Sequence, residues 1–387
     1  MIKKFKKIIC LVLISLMTFI LTGCNLGIKP VDDKITIVTT LYPNYEFINV
    51  ILDGTKKLDV EMEVILIVPY GTDSHSYDPS ISDYLTIKNA DLFIYTSDEM
   101  EPWVKGLNLE KEKVLNVYEA MMNKYEDFKE LQVLQGDSIN SHEHKHEDGH
   151  NHNHDHDHGR YQESNNFFDR IFITITNFMK ILFPHSHNHS YDPHFWTNML
   201  YAEYMVEVIY DKLIECIPDP YKNKQEIMLE NKNEYISDLR CLDEQFKSVS
   251  ELAEDKTIFF GSPFAFYYFT ERYNLDYVLT YSTCSTEIDP SILVVLEVVE
   301  EMEHHNAKVI FSKELTSTDA AVKIAEYTGA EVLELHSGHN ISYKEAGKTS
   351  FLDIMQRNVT NLAKALDVDV YKIKYYNQIK GGVDSAD

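Results

Sequence analysis

The residues in this sequence best suited to chemistry are its histidines, and they are unevenly placed. His194 stands in Tyr191-Asp192-Pro193-His194-Phe195-Trp196-Thr197, among a carboxylate, a proline and aromatic rings. His75 stands in the turn-rich run Pro69 to Ser80, directly after an apolar stretch. His336 and His339 share His336-Ser337-Gly338-His339-Asn340, again directly after a strand-like stretch. The densest group is the tract Ser141 to Gly159, with His142, His144, His146, His150, His152, His154, His156 and His158. Glu143, Glu147, Asp148, Asp155 and Asp157 are interleaved with them, and His185, His187 and His189 extend the tract toward His194.

Alternating imidazoles and carboxylates suit borderline divalent metals, zinc first, with nickel and copper next. The tract has no apolar residue to bury, so it reads as a low-affinity metal loop without a packed structure. Taken singly, His75 is compatible with a turn histidine and His194 with a buried histidine near a helix start. Asp192 suits an N-cap and Pro193 a first helical position, so His194 is expected in the first turn of a helix. Met199, Tyr201, Met205, Ile209 and Leu213 continue that helix at its spacing. His304-His305 ends another predicted helix, where positive charge is favoured, and reads as structural.

The N-terminus bears on the compartment. Lys3, Lys4, Lys6 and Lys7 precede the uncharged run Ile8 to Leu21. That run is too short for a span of about 20 residues and fits a signal-peptide core. It ends in Leu21-Thr22-Gly23-Cys24, which resembles a bacterial lipobox with Cys24 as the lipidated residue. Residues 1–23 are thus read as a leader and 24–34 as a tether, placing the mature chain outside the cytoplasmic membrane on a lipid anchor. The net charge is -26 over 387 residues. Such a surface repels nucleic acid and tolerates cations. Beyond Cys10 and Cys24, only Cys216, Cys241 and Cys284 remain, with no CxxC spacing. That is neither a disulfide framework nor a thiolate zinc site.

The elements that must position the histidines follow from periodicity. Strands are expected at 35–40, 60–68, 92–95 and 113–117, and again at 256–260, 277–281, 308–311 and 331–335. Helices are expected at 45–52, 82–90, 264–273, 292–304, 320–328 and 351–366. Strands alternating with helices predict α/β architecture with parallel sheets, whose ligands sit at the strand C-termini. Tyr221 to Ala253 contains no proline or glycine and keeps helical spacing, which predicts one long connecting helix. The domain reading is 35–220 with a histidine-rich insertion at 136–190, the connector at 221–253, and 254–387. The apolar segment 166–183 reads as a docking helix inside the insertion.

Thr40-Leu41-Tyr42-Pro43, Gly71 to Ser80 and Asp192-Pro193-His194-Phe195-Trp196 occur here in order. The long helix, Phe266 to Leu275, Glu331 to Asn340 and Phe351 to Asn358 follow them. In this set the chain resembles the solute-binding lipoproteins of zinc and manganese ABC importers, in the zinc branch that carries a histidine-rich loop. The resemblance implies two α/β lobes, each a parallel sheet flanked by helices, joined by a rigid helix, with metal in the cleft. It implies no catalysis, an ABC permease and its ATPase as partners, and a monomer.

Carried over residue by residue, His75 and His194 match the first two metal ligands of that family. The third ligand position reads Gly261-Ser262-Pro263-Phe264 and offers no donor. His336 falls near the fourth, so the expected set is His75, His194 and His336, with Glu287 and His339 as weaker candidates. Three imidazoles without a thiolate favour Zn2+ as cargo over Mn2+, which prefers oxygen ligands. A zinc hydrolase is the competing enzyme class, but HExxH spacing occurs only inside the low-complexity tract, at His142 to His146 and His146 to His150, with no helix expected to carry it. A surface metal buffer or adhesin, in which the loop itself is the function, is the other alternative.

Overall fold

The computed structural model describes residues 34–55, 61–129, 191–216, 225–281, 290–376 and 378. The leader with Cys24, the histidine tract, segment 166–183, His185 to His189, Cys284 and Glu287 lie outside the described residues. No helix among the described residues is long and apolar enough to cross a membrane.

Two four-stranded parallel sheets repeat one pattern. β1 (Lys34–Thr39), β2 (Glu61–Leu66), β3 (Leu92–Tyr95) and β4 (Val114–Asn116) lie in the order β2-β1-β3-β4. β5 (Thr257–Phe260), β6 (Asp276–Leu279), β7 (Val309–Ser312) and β8 (Glu331–Glu334) lie in the order β6-β5-β7-β8. β1 pairs with β2 from Lys34 opposite Glu61 to Thr39 opposite Leu66. β7 pairs with β8 from Val309 opposite Glu331 to Ser312 opposite Glu334. The central strands β3 (LFIY) and β7 (VIFS) are buried at every position. That is why they read as continuous apolar runs, as strands covered on both faces do.

The helices are α1 (Tyr42–Leu52), α2 (Ile81–Asn89), α3 (Val117–Lys124), α4 (Met199–Cys216), α5 (Gln225–Leu252), α6 (Tyr267–Tyr273), α7 (Ile292–His304), α8 (Asp319–Thr328) and α9 (Phe351–Ala365). Ser80 with Asp83 and Ser350 with Asp353 form capping boxes that start α2 and α9. Each box satisfies backbone N–H groups that would otherwise have no partner. Three departures from the sequence reading have local causes. α1 starts at Tyr42, because Pro43 sits in its first turn instead of breaking the chain. α3, not anticipated, is started by Asn116, whose side chain accepts from the Glu119 N–H. α4 starts at Met199, so His194 precedes the helix, at the head of a short 3-10 turn over Phe195–Thr197.

α5 has 28 residues and is about 42 Å long at 1.5 Å per residue. It touches both halves of the chain. Asn231 donates to the carbonyls of Ile51 and Asp53 at the end of α1, at 3.1 and 2.9 Å. Arg272 on α6 grips Asp243 with two bonds at 3.0 and 2.8 Å. Gln356 on α9 donates to Gln245 at 2.8 Å. On its apolar side, Tyr235 meets Phe47 of α1 edge-on, with ring centroids 5.7 Å apart. Phe47 in turn meets Phe351 of α9 at 5.1 Å. The buried cluster containing these rings runs from β1 through α5 to α9 without a break. Truncating a ring such as Phe47 to alanine costs about 3–5 kcal/mol in such a core.

Candidate metal site

His75 is delivered by the loop that leaves the C-terminal end of β2. Asp73 caps that turn, its Oδ1 accepting from the His75 N–H at 3.0 Å. His194 is delivered by the segment before α4 in the same manner, with Asp192 Oδ1 accepting from the His194 N–H at 2.8 Å. The same Asp192 oxygen lies 2.9 Å from His194 Nδ1. A carboxylate on Nδ1 leaves Nε2 as the ligand atom and fixes the orientation of the ring.

The third imidazole of the cluster belongs to His339. Its backbone N–H donates to Ser337 Oγ at 3.3 Å, again a residue two positions upstream. One spacing thus recurs three times, in Asp73-Ser74-His75, Asp192-Pro193-His194 and Ser337-Gly338-His339. This spacing was a readable signal in the sequence, and it separates His339 from His336, which has no short polar cap before it. Gly338 is required for the turn. Its φ is +73°, and an added Cβ would lie 2.8 Å from the Phe351 ring.

His75, His194 and His339 each present a ligand atom, and these atoms lie within 4.8 Å of one another. Nε2 of His75 and Nε2 of His194 are 3.1 Å apart. A tetrahedral zinc ion with bonds of about 2.0–2.1 Å separates its ligand atoms by roughly 3.3–3.4 Å, so this pair is close to that spacing. His194 and His339 are buried, and His75 is partly exposed. Burial, then the charges of His75, Lys313, His194 and His336, push the His339 pKa well below the ordinary imidazole value. His339 is therefore held neutral, the form that binds metal.

Of the two histidines in this turn, the structure groups His339 with His75 and His194, while His336 is held by other contacts. Its backbone N–H donates to Asn358 Oδ1 at 2.9 Å, and its carbonyl accepts from Asn358 Nδ2 at 2.7 Å. Its Nδ1 accepts from the Gly338 N–H at 2.9 Å. These bonds pin His336 to α9 and to its own turn, three residues before the imidazole that joins the cluster. Ser262, at the position without a donor, is buried and accepts from the Lys313 N–H at 2.7 Å. It ties the loop after β5 to the loop after β7.

The chain matches the family described as the periplasmic component A of the zinc-uptake complex, over residues 37–365. It belongs to this zinc-uptake family. The high-affinity zinc uptake system protein ZnuA of Bacillus subtilis (strain 168) is 29% identical over 335 residues, covering 86% of this chain and 88% of that protein. The zinc-binding lipoprotein AdcA of Streptococcus pneumoniae serotype 4 is 27% identical over 365 residues, covering 93% of this chain but 61% of that longer protein. The crystal structure of the Zn(II)-bound ZnuA-like domain of Streptococcus pneumoniae AdcA covers 86% of this chain and 99% of that domain. Its TM-score is 0.59 at 23% identity, a likeness of fold.

In this member of the zinc-uptake family, a second layer of hydrogen bonds fixes the histidine loops. Ser74 Oγ is hydrogen-bonded to Nε2 of His339, and it also faces Met100 Sδ at 3.8 Å. Glu314, buried, accepts from both the backbone N–H and the hydroxyl of Ser337. Glu101, also buried, accepts from Thr40 Oγ1 and from the N–H groups of Thr96 and Ser97. Burial pushes the Glu101 carboxyl up to about 7 against the lowering effect of those bonds.

Proposed function

We propose that this protein captures Zn2+ outside the cytoplasmic membrane through His75, His194 and His339 and passes it to an ABC permease driven by an ATPase. The observation that carries the reading is the convergence of three imidazoles from loops of both sheets. His75 follows β2 of the first sheet, and His339 follows β8 of the second. An ion held by both stabilises one arrangement of the two halves, as a captured cargo should. Among the described residues, the carboxylates of Asp73, Asp192 and Glu314 are committed to His75, His194 and Ser337, an arrangement that holds an ion in place. The leader and Cys24 support a lipid anchor, with the mature protein acting as a monomer on the outer face of the membrane.

Deleting Ser141 to Gly159 and titrating zinc by calorimetry tests this reading. One tight site is expected to remain, because the three imidazoles lie outside the tract. Loss of all submicromolar binding on deletion would instead make the tract the function and the protein a surface buffer. Metal analysis of protein purified without chelator distinguishes zinc from manganese as cargo.

A further inference from the structure

The sequence carries one short pattern twice. Asp78-Pro79-Ser80-Ile81 is followed by Leu85, and Asp289-Pro290-Ser291-Ile292 by Leu296, each leucine four positions after its isoleucine. The fold puts the two copies at matching places. α2 lies between β2 and β3, and α7 between β6 and β7. β2 and β6 are the corresponding edge strands of the sheets β2-β1-β3-β4 and β6-β5-β7-β8. In both copies the serine caps its helix. Ser80 Oγ accepts from the Asp83 N–H at 3.2 Å, and Ser291 Oγ from the Val294 N–H at 3.4 Å. Helix initiation explains the serines. It does not explain the isoleucine and leucine that follow them.

Burial does not explain them either. Ile81 is 81% exposed, Leu85 50%, Ile292 64% and Leu296 45%, with Leu293 at 51% beside the second pair. Residues four apart share one helix face, so each pair makes a small apolar patch. Among the described residues, no other helix exposes two large aliphatic side chains four positions apart. Single exposed apolar residues are ordinary, but the same pair at the same place in each half is a pattern. A helix between parallel strands starts on the side where the first strand ends. Both patches therefore lie on the side of their sheets that carries the metal loops. Ile81 is six residues from His75.

We propose that Ile81 with Leu85, and Ile292 with Leu296, are two matched anchor points that dock the protein on its permease, one on each half. This rests on the zinc-delivery reading and deepens it. Two like patches fit a partner that presents two like faces, as a two-fold symmetric membrane assembly does. Exposed Asp78 flanks the first patch, and exposed Glu297 and Glu300 flank the second. The complementary recess on the partner is therefore apolar with a basic rim. Other occupants fit less well. The net charge of -26 opposes an anionic lipid surface. Five exposed side chains divided between two halves fall far short of the roughly 800 Å² per partner that a stable dimer of this chain would bury. They suit anchors in a transient contact, made by a carrier that docks, unloads and leaves.

The test uses the full mature chain loaded with zinc and the permease–ATPase complex of the same cell in lipid nanodiscs, read as stimulated ATP hydrolysis. Ile81→Ser with Leu85→Ser, and separately Ile292→Ser with Leu296→Ser, should each raise the concentration for half-maximal stimulation about tenfold or more. The four substitutions together should abolish stimulation. Zinc affinity by chelator competition and the melting temperature should stay at wild-type values, since these side chains are exposed. Stimulation by the fourfold variant equal to wild type overturns the proposal, and an effect from one pair alone overturns the two-point docking. Two controls name the other occupants. A wild-type dimer in sedimentation that the substitutions dissociate, or co-sedimentation with anionic vesicles that they abolish, overturns the assignment to the permease. Failure of the underlying reading shows differently, as zinc-loaded wild type that does not stimulate hydrolysis at all, and it removes the docking proposal with it.

Discussion

The indole Nε1 of Trp196 donates to the carbonyl oxygen of Ser337 at 2.8 Å, although 141 residues separate them. This bond joins the segment carrying His194 to the loop carrying His339. The Trp196 ring also stacks on His339, with centroids 5.8 Å apart, and meets the edge of His194 at 5.4 Å. Asn340 fastens the same loop to the first half, donating to the carbonyls of Pro69 and Thr72 at 2.8 Å each. Bonds between loops of the two halves thus position the imidazoles.

Trp196 should therefore report on the metal. Zinc binding is expected to change its fluorescence, and Trp196→Phe should remove most of that change. The variant loses a buried hydrogen bond and leaves the Ser337 carbonyl without its donor, at a cost of about 1–3 kcal/mol. Zinc affinity should fall several-fold, read by competition with a chelator whose signal does not depend on tryptophan.

His339→Ala should weaken zinc binding by at least about tenfold, equivalent to roughly 1.4 kcal/mol. His336→Ala should change zinc affinity less, yet lower thermal stability, because the Gly338 N–H loses its acceptor. Competition assays and melting curves on both variants check the pair. Greater zinc loss from His336→Ala would return the ligand role to that residue.

Asp192→Asn keeps the size of the side chain but removes the charge facing His194 Nδ1. Outer partners of metal-bound imidazoles are typically worth about 10–100-fold in affinity. The variant is expected to fall in that range with an unchanged fold, read by zinc titration alongside circular dichroism.

Glu101 gives a pH signature. Its carboxyl is raised from 4.5 to about 7 in the folded chain, so between those values the folded state holds a proton that the unfolded state releases. The stability this group contributes is full below about pH 4.5 and is lost as pH rises to about 7, on the order of 3 kcal/mol. Glu101→Gln should flatten that slope in urea unfolding of the metal-free protein. It should also lower absolute stability, since an amide cannot accept all three donors. A slope unchanged by the substitution would assign it to another group.

Much of this protein was determined by local sequence. Alternating apolar runs and helical stretches predicted all eight described strands, and the fully buried β3 and β7 read most clearly because a strand covered on both faces is largely apolar. His75 and His194 were readable because each lies beside a distinctive turn, and the long helix because 28 helical residues contain no breaker. What local sequence did not decide is which imidazole of the His336–His339 turn joins them. Both follow the same strand, and their difference arises from contacts distant in the chain. Asn358, 22 residues away, holds the backbone of His336 on both sides. Trp196 and Asn340 pull the following turn toward the first sheet and bring His339 to the cluster. The buried Lys313 was equally invisible, since a lysine between a strand and a turn ordinarily faces water.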